Sequence, residues 1–217
     1  MIIHDFTEVH SVMNQFISEL RDVEIQKDRM RFRKNIERIG QILAFELSKT
    51  LSYKETSIKT PLGTKLMSLP TEDMVLCSVL RAGLPLHQGM LNCFDQAENA
   101  FISAYRLHRD DPEEFEVVVK YLAAPSLENK TLILTDPMLA TGKTLENVLK
   151  ALKKHGTPAK IHIVSVIGSQ VGVNYIQSIF PSDTHLWIAA IDPILDRKAY
   201  IIPGLGDAGD LSYGMKL

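Results

Sequence analysis

The chain has 217 residues, 45% hydrophobic and 23% charged, a balance that suits a soluble globular domain with a sizeable core and excludes collagen-like, coiled-coil and disulfide-scaffold classes. Lys and Arg total 24 against 26 for Asp and Glu, so a formal charge of -2 gives no global pull toward nucleic acid or anionic lipid, and any anionic ligand must be gripped locally. No apolar run approaches the roughly 20 residues of a membrane helix, and Met1 to His10 lacks the basic flank and apolar core of a signal peptide, so a cytoplasmic location without a membrane partner is expected.

In chain order, the first element is a helix. From about Lys27 to Leu51 the apolar residues Ile36, Ile39, Leu43 and Leu47 recur at spacings of three and four, on one face that needs a partner surface. The basic stretch Lys27 to Lys34 reads as the solvated first half of that helix, with nucleic-acid binding the weaker option. No repeat or linker interrupts the chain, so 1–217 is taken as a single domain with 1–70 as a helical and extended segment packed on its core. Cys77 and Cys93 match no zinc or redox spacing and read as small packing residues, not as a disulfide.

After Pro70, short β-rich runs alternate with helical stretches: Met74 to Leu80, Ala100 to Tyr105, Thr131 to Thr135, Ile161 to Ile167 and Leu186 to Ile191. That alternation predicts an α/β fold, a parallel sheet with helices on its faces. Leu107 to Val119, with the turn signal Arg109-Asp110-Asp111-Pro112, reads as a protruding hairpin or flap. The clearest βαβ unit follows, in which Leu145, Val148, Leu149 and Leu152 mark the crossover helix and Gly156-Thr157-Pro158 its stop. Ligands of such sheets sit beyond the carboxyl ends of strands, so the loop from Asp136 to Gly142 is the first place to look for function.

Small residues at Ala140 and Gly142, hydroxyls at Thr141 and Thr144, and the N-terminus of the next helix suit a phosphate. Asp136 at the strand end suits the vicinal hydroxyls of a sugar, and together they suggest a ribose 5-phosphate. Gly142-Lys143-Thr144 also ends a nucleotide-triphosphate P-loop, with Asp192 as its metal acid. Pro137 stands where that motif needs its first glycine and argues against it. His87, His108, His155, His162 and His185 share no metal spacing and are given ordinary surface or core roles, and Trp187 a core role.

These residues resemble the phosphoribosyltransferase signature. Asp136 to Thr144 is similar, more narrowly, to the D-P-M-L-A-T-G-G-S of uracil phosphoribosyltransferases. Cys77 to Leu84 is similar to that family's I-L-R-A-G-L stretch, Tyr105-Arg106 falls where it has a second arginine, and Tyr200 to Asp210 matches its uracil-binding tail. The departures are Lys143 and Thr144, where the family usually has Gly and Ser, and Leu211 to Gly214, which replaces a more basic and aromatic pattern.

The resemblance implies a Rossmann-like phosphoribosyltransferase core with helices on both faces, an N-terminal helical segment and a protruding hairpin flap. It implies transfer of a phosphoribosyl group from phosphoribosyl pyrophosphate to uracil, giving UMP and pyrophosphate. Arg81, Arg106, Asp136 and Asp207 would be the catalytic groups. The donor would be held by these four with Pro137, Met138, Leu139, Ala140, Thr141, Gly142, Lys143 and Thr144, and uracil by Ile201, Gly206, Asp207 and Ala208. No direct metal ligand is implied: Mg²⁺ would ride on the pyrophosphate with Asp207 the nearest protein group. A homodimer or larger homo-oligomer is expected. The alternatives are a phosphoribosyltransferase for another base and a nucleotide-binding regulator without catalysis.

Overall fold

Three strands in the second half of the chain are apolar almost without interruption because both of their faces are covered. They are β7 (Thr131–Thr135), β9 (Lys160–Ser169) and β10 (His185–Asp192) in a computed structural model that describes residues 1–108 and 115–216, with the side chains of 104–119 outside the described set. They join β1 (Ile2–Asp5), β4 (Met74–Leu80), β5 (Glu98–His108) and β6 (Phe115–Ala123) in the order β1-β10-β9-β7-β4-β5-β6. Every pair is parallel except β5 with β6, and the short β8 (Met138–Leu139) adds to β9.

Alternate residues of the strands face two different helical layers. Leu76, Ile133, Val164 and Trp187 meet Met13 and Leu20 of α1 (Met13–Arg21), Phe32, Ile36, Ile39, Leu43 and Leu47 of α2 (Arg29–Ser48), and Leu86 and Met90 of α3 (Leu84–Leu91). On the other face Val75, Cys77, Leu132, Leu134, Ile163 and Ile188 meet Leu145, Val148 and Leu152 of α4 (Lys143–Leu152) and Val173 and Ile176 of α5 (Gln170–Ile179). The helices expected on both faces are present, and the stripe predicted from Ile36 to Leu47 is the buried face of α2. That helix starts at Arg29 because the Asp28 side chain accepts from the amides of Met30 and Arg31. No described helix is long and apolar enough to cross a membrane.

Among the features with no counterpart in the predicted elements are α1 and two sets of strands. β1 is only four residues long and pairs with β10 at the far end of the chain. β2 (Tyr53–Thr60) and β3 (Gly63–Pro70) form an antiparallel hairpin exposed at every position, so neither face carries an apolar alternation to read. The predicted flap corresponds to β5 and β6, paired antiparallel out to His108 and Phe115, and its tip at 109–114 lies outside the described residues. Of the cysteines, Cys77 is a buried packing residue whose thiol burial pushes up to about 12. Cys93 is exposed, contrary to the packing role expected of it, because it follows the end of α3.

Candidate active site

Three segments meet beyond the carboxyl ends of the central strands: the turn after β4, the loop after β7, and the tail that carries β12 (Ile201–Ile202) and α6 (Ala208–Tyr213). The loop after β7 is braced from behind. The Pro137 carbonyl accepts from the amides of Val166 (3.1 Å) and Ile167 (3.0 Å), and β8 pairs Met138 and Leu139 with Ile167 and Gly168. Ser169 donates to the Ala140 carbonyl at 2.6 Å and accepts from Gly172 at 2.9 Å, tying the loop to the start of α5. Pro137, Leu139, Ala140 and Gly142 are consequently buried, whereas Asp136, Met138, Thr141 and Thr144 are partly exposed and Lys143 is exposed.

Asp136 stands at the end of β7, where its Oδ1 accepts from the Met138 amide at 3.3 Å. Gly142 takes φ +79° at the N-cap of α4, and a Cβ there would lie 2.8 Å from both Ile176 and Tyr175 of α5. The turn therefore requires glycine. No side chain caps α4, although Thr141 Oγ1 accepts from the Lys143 amide at 3.4 Å, so the first turn keeps N–H groups for an anion. Glu146 accepts from Tyr175 at 2.6 Å, and its bonds to Lys150 and then Tyr175 hold its carboxyl below the usual range.

Arg81 directly follows β4 and reaches the tail: Nη2 donates to Asp210 Oδ1 and to the Gly214 carbonyl, each at 3.0 Å, while Nε is buried without a partner among the described residues. Asp207 is the N-cap of α6, accepting from the Asp210 amide at 2.9 Å, and the Ala208 amide points at Met138 Sδ, 3.4 Å away. Arg81, Met138, Asp207 and Ala208 are thus brought together with the loop after β7. Gly206 is exposed at the surface of the tail with φ +90°, and Ala208 is buried beside it. Ile201 is 4% exposed, its side chain in the core, so its contribution to a ligand would come from the backbone. Arg106 has its backbone in β5 opposite Val117, and its side chain lies outside the described residues.

The N-terminal helices hold the tail in a way no local pattern announced. Arg21 sits on Asp192 and Gly204, Arg33 donates to the Ser212 carbonyl at 2.7 Å and lies over the Tyr213 ring, and Gln26 faces Gly206. Burial pushes the Tyr213 hydroxyl pKa up, against the pull of Arg33 and Arg81. Within the basic stretch, Lys27, Arg31 and Lys34 pair with Glu24, Glu19 and Glu37 as expected of a solvated face, but Arg33 serves the tail. Asp192 was legible only as an acid ending an apolar strand. Arg21, 171 residues away, carried no local signal.

The model of the uracil phosphoribosyltransferase family matches residues 7–215. The chain belongs to the uracil phosphoribosyltransferase family. A uracil phosphoribosyltransferase from Porphyromonas gingivalis is 52% identical over 208 residues, 96% of each chain. Among solved structures, the AQ2163 protein from Aquifex aeolicus is similar at 30% identity with a TM-score of 0.87 and 100% of both chains covered. A hypoxanthine phosphoribosyltransferase from Staphylococcus aureus, 17% identical, shares the fold over 86% of this chain and 84% of its own at a TM-score of 0.51. The uracil phosphoribosyltransferase pattern is broken here at Lys143 and Thr144, which stand at the open start of α4, while Leu139, Ala140 and Gly142 behind them are buried. The P-loop alternative falls with this assignment, and Asp192, its metal acid, is engaged by Arg21.

Among the described residues no group of three or more His, Cys, Asp and Glu side chains could hold a metal. The single carboxylate Asp207 is compatible with the expectation of no direct metal ligand, in which a bound Mg²⁺ would be carried mainly by a substrate's phosphates.

Proposed function

We propose that this single-domain protein transfers the phosphoribosyl group of phosphoribosyl pyrophosphate to uracil, forming UMP and diphosphate for pyrimidine salvage in the cytoplasm. The observation that supports this is the meeting of the Asp136 loop with the tail at Met138 and Ala208, which in this reading would be the phosphosugar side and the base side of one site.

In this reading Asp136 accepts hydrogen bonds from the ribose hydroxyls. The amides and hydroxyls from Ala140 to Thr144 hold the 5-phosphate at the start of α4. Arg81 and Arg106 bind pyrophosphate oxygens, Arg81 exchanging its present hold on Asp210 and Gly214 for the donor. Cleavage at ribose C1 builds positive charge on the sugar and negative charge on the departing pyrophosphate. Positioning and fixed charge then supply the acceleration without an enzyme nucleophile. Mg²⁺, held on the pyrophosphate near Asp207, would neutralise charge on the leaving group when bound. Backbone N–H and carbonyl groups around Ile201, Gly206 and Ala208 read the alternating acceptors and donors of uracil. Cytosine presents an amine donor where uracil has a carbonyl, so it leaves buried groups unpaired and is rejected.

The test is a product assay. Protein, Mg²⁺, uracil and phosphoribosyl pyrophosphate should yield UMP and diphosphate, with cytosine and hypoxanthine inactive. Folded protein that gives no uracil-dependent product rejects the reading, and turnover with another base alone moves it to that base. The homodimer or larger homo-oligomer belongs to the same proposal. It is supported by the exposed hairpin, where Leu62, Leu66 and Met67 are open to solvent, and sedimentation velocity measures it.

A further inference from the structure

The geometry points to Arg21 and Asp192 as positioning residues for the base: together they clamp the turn that enters the base-reading tail and so set affinity for uracil independently of the phosphoribosyl donor. This rests on the transferase reading above.

Arg21 closes α1, and its guanidinium forks onto the Asp192 carboxylate with both N–H···O distances at 2.8 Å. Nη1 also donates to the Gly204 carbonyl at 3.0 Å, while the Gly204 amide donates to Asp192 Oδ2 at 2.9 Å. The two side chains thereby satisfy both backbone polar groups of one residue, in a closed ring of charge-assisted bonds. Asp192 is only 8% exposed, and it ends β10, which is hydrogen-bonded to β1 and β9 and so gives the ring a rigid base. Gly204 has φ +60°, and a Cβ on it would stand 2.0 Å from the Ile201 carbonyl oxygen, so the turn has no slack of its own. Gly206, Asp207 and Ala208 follow within four residues.

The α1 end makes one more contact. Gln26 Nε2 donates to the Arg21 carbonyl at 3.2 Å, and Gln26 Oε1 lies 3.9 Å from where a Cβ of Gly206 would be. The phosphate loop shares none of these supports, being held by Val166, Ile167, Ser169 and α5. Loosening the clamp should displace the uracil side of the site and leave the loop at 136–144 in place, so that the donor loses at most part of its contact with Asp207. Removing one partner of a buried pair also leaves the other charge and a backbone group of Gly204 unpaired, so the turn moves rather than relaxing unchanged.

Steady-state kinetics of the full chain with Arg21→Lys, Arg21→Met and Asp192→Asn test this. The KM for uracil should rise about tenfold or more while the KM for the donor stays within about twofold, since misplacing a binding group by about 1 Å is enough for losses of that size. Arg21→Lys should fall between parent and Arg21→Met, because an ammonium keeps the charge but not the fork. Glu72→Gln, which breaks the ion pair with Lys160, is the control for stability loss alone and should leave the uracil KM unmoved. An unchanged uracil KM in folded variants, or both KM values rising together, overturns the proposal. If Asp192→Asn does not fold, Arg21→Lys decides. If the parent makes no product from uracil, the transferase reading fails, and amide exchange still judges the clamp: Arg21→Lys should speed exchange at Gly204 and Gly206 and not at 138–144, and equal exchange overturns it.

Discussion

The loop proposed to hold the phosphate and the tail proposed to read the base are both glycine-bearing turns that end in a helix, yet they are held in opposite ways. The loop at 136–144 rests on its immediate surroundings in the βαβ unit: β7 before it, α4 after it, and the end of β9 with the start of α5 behind it. The tail at 201–214 has little structure of its own beyond a two-residue strand and a six-residue helix, and it is held by Arg21, Arg33 and Arg81 from distant parts of the chain and by Asp192 at the end of β10. A loop built into a contiguous unit announces itself as a motif. A loop held from outside keeps its shape only as long as the whole fold does.

The sharpest break of this comparison comes from its chemistry. Asp136→Asn should lower kcat about a hundredfold or more with melting nearly unchanged, because it removes a charge placed beside the reacting sugar while keeping the side-chain shape. Equal rates in variant and parent would show that the loop does not hold the ribose. Next in size are two glycine substitutions that should separate the two sites. Gly204→Ala forces a Cβ against the Ile201 carbonyl at positive φ and should cost about 3 kcal/mol of stability and raise the KM for uracil. Gly142→Ala meets two side chains of α5 at 2.8 Å and the Gly172 carbonyl only at 3.3 Å, and should cost about 1–2 kcal/mol and raise the KM for the donor instead. Urea melts and paired KM measurements read both, and a shift of both KM values in each variant would mean the turns are mechanically coupled.

The smallest expected effect on either turn comes from acid, which acts at the opposite end of the strands. His162 accepts from Trp187 Nε1 at 3.1 Å and has Nε2 buried without a partner. Burial first, then His185, push its pKa down to about 4, with Lys160 and His4 adding to this and Glu72 opposing it. The unfolded chain therefore takes up a proton before the folded one does. This stability is complete above the ordinary value of 6.5 and drains as pH falls toward 4, the loss reaching about 2 kcal/mol at pH 5. Melting at pH 7.5 and 5 should show the loss, while the ratio of the two KM values stays constant.

Much of this was readable in advance, for stated physical reasons. The parallel core was legible because strands buried on both faces are continuously apolar and the helices between them repeat at three and four. The strand–loop–helix around Asp136 to Thr144 was legible because its strand, its glycine turn and its helix period are all local. The exposed β2–β3 hairpin was not, since without a buried face its residues carry no period. Arg33 was read with its solvated neighbours Lys27, Arg31 and Lys34, and nothing near it in the chain could reveal that Ser212 and Tyr213 lie beside it.

The amino-acid order alone determined the fold class, the strand-loop-helix at 131–152 and the family pattern of the tail, because each depends on side-chain chemistry repeated over short spans. The tertiary structure alone decided which charges are spent on holding the tail. Arg21 and Asp192 approach each other only after β10 has joined the sheet and α1 has settled over its face, and long-range pairing of that kind leaves no mark on either local stretch of chain.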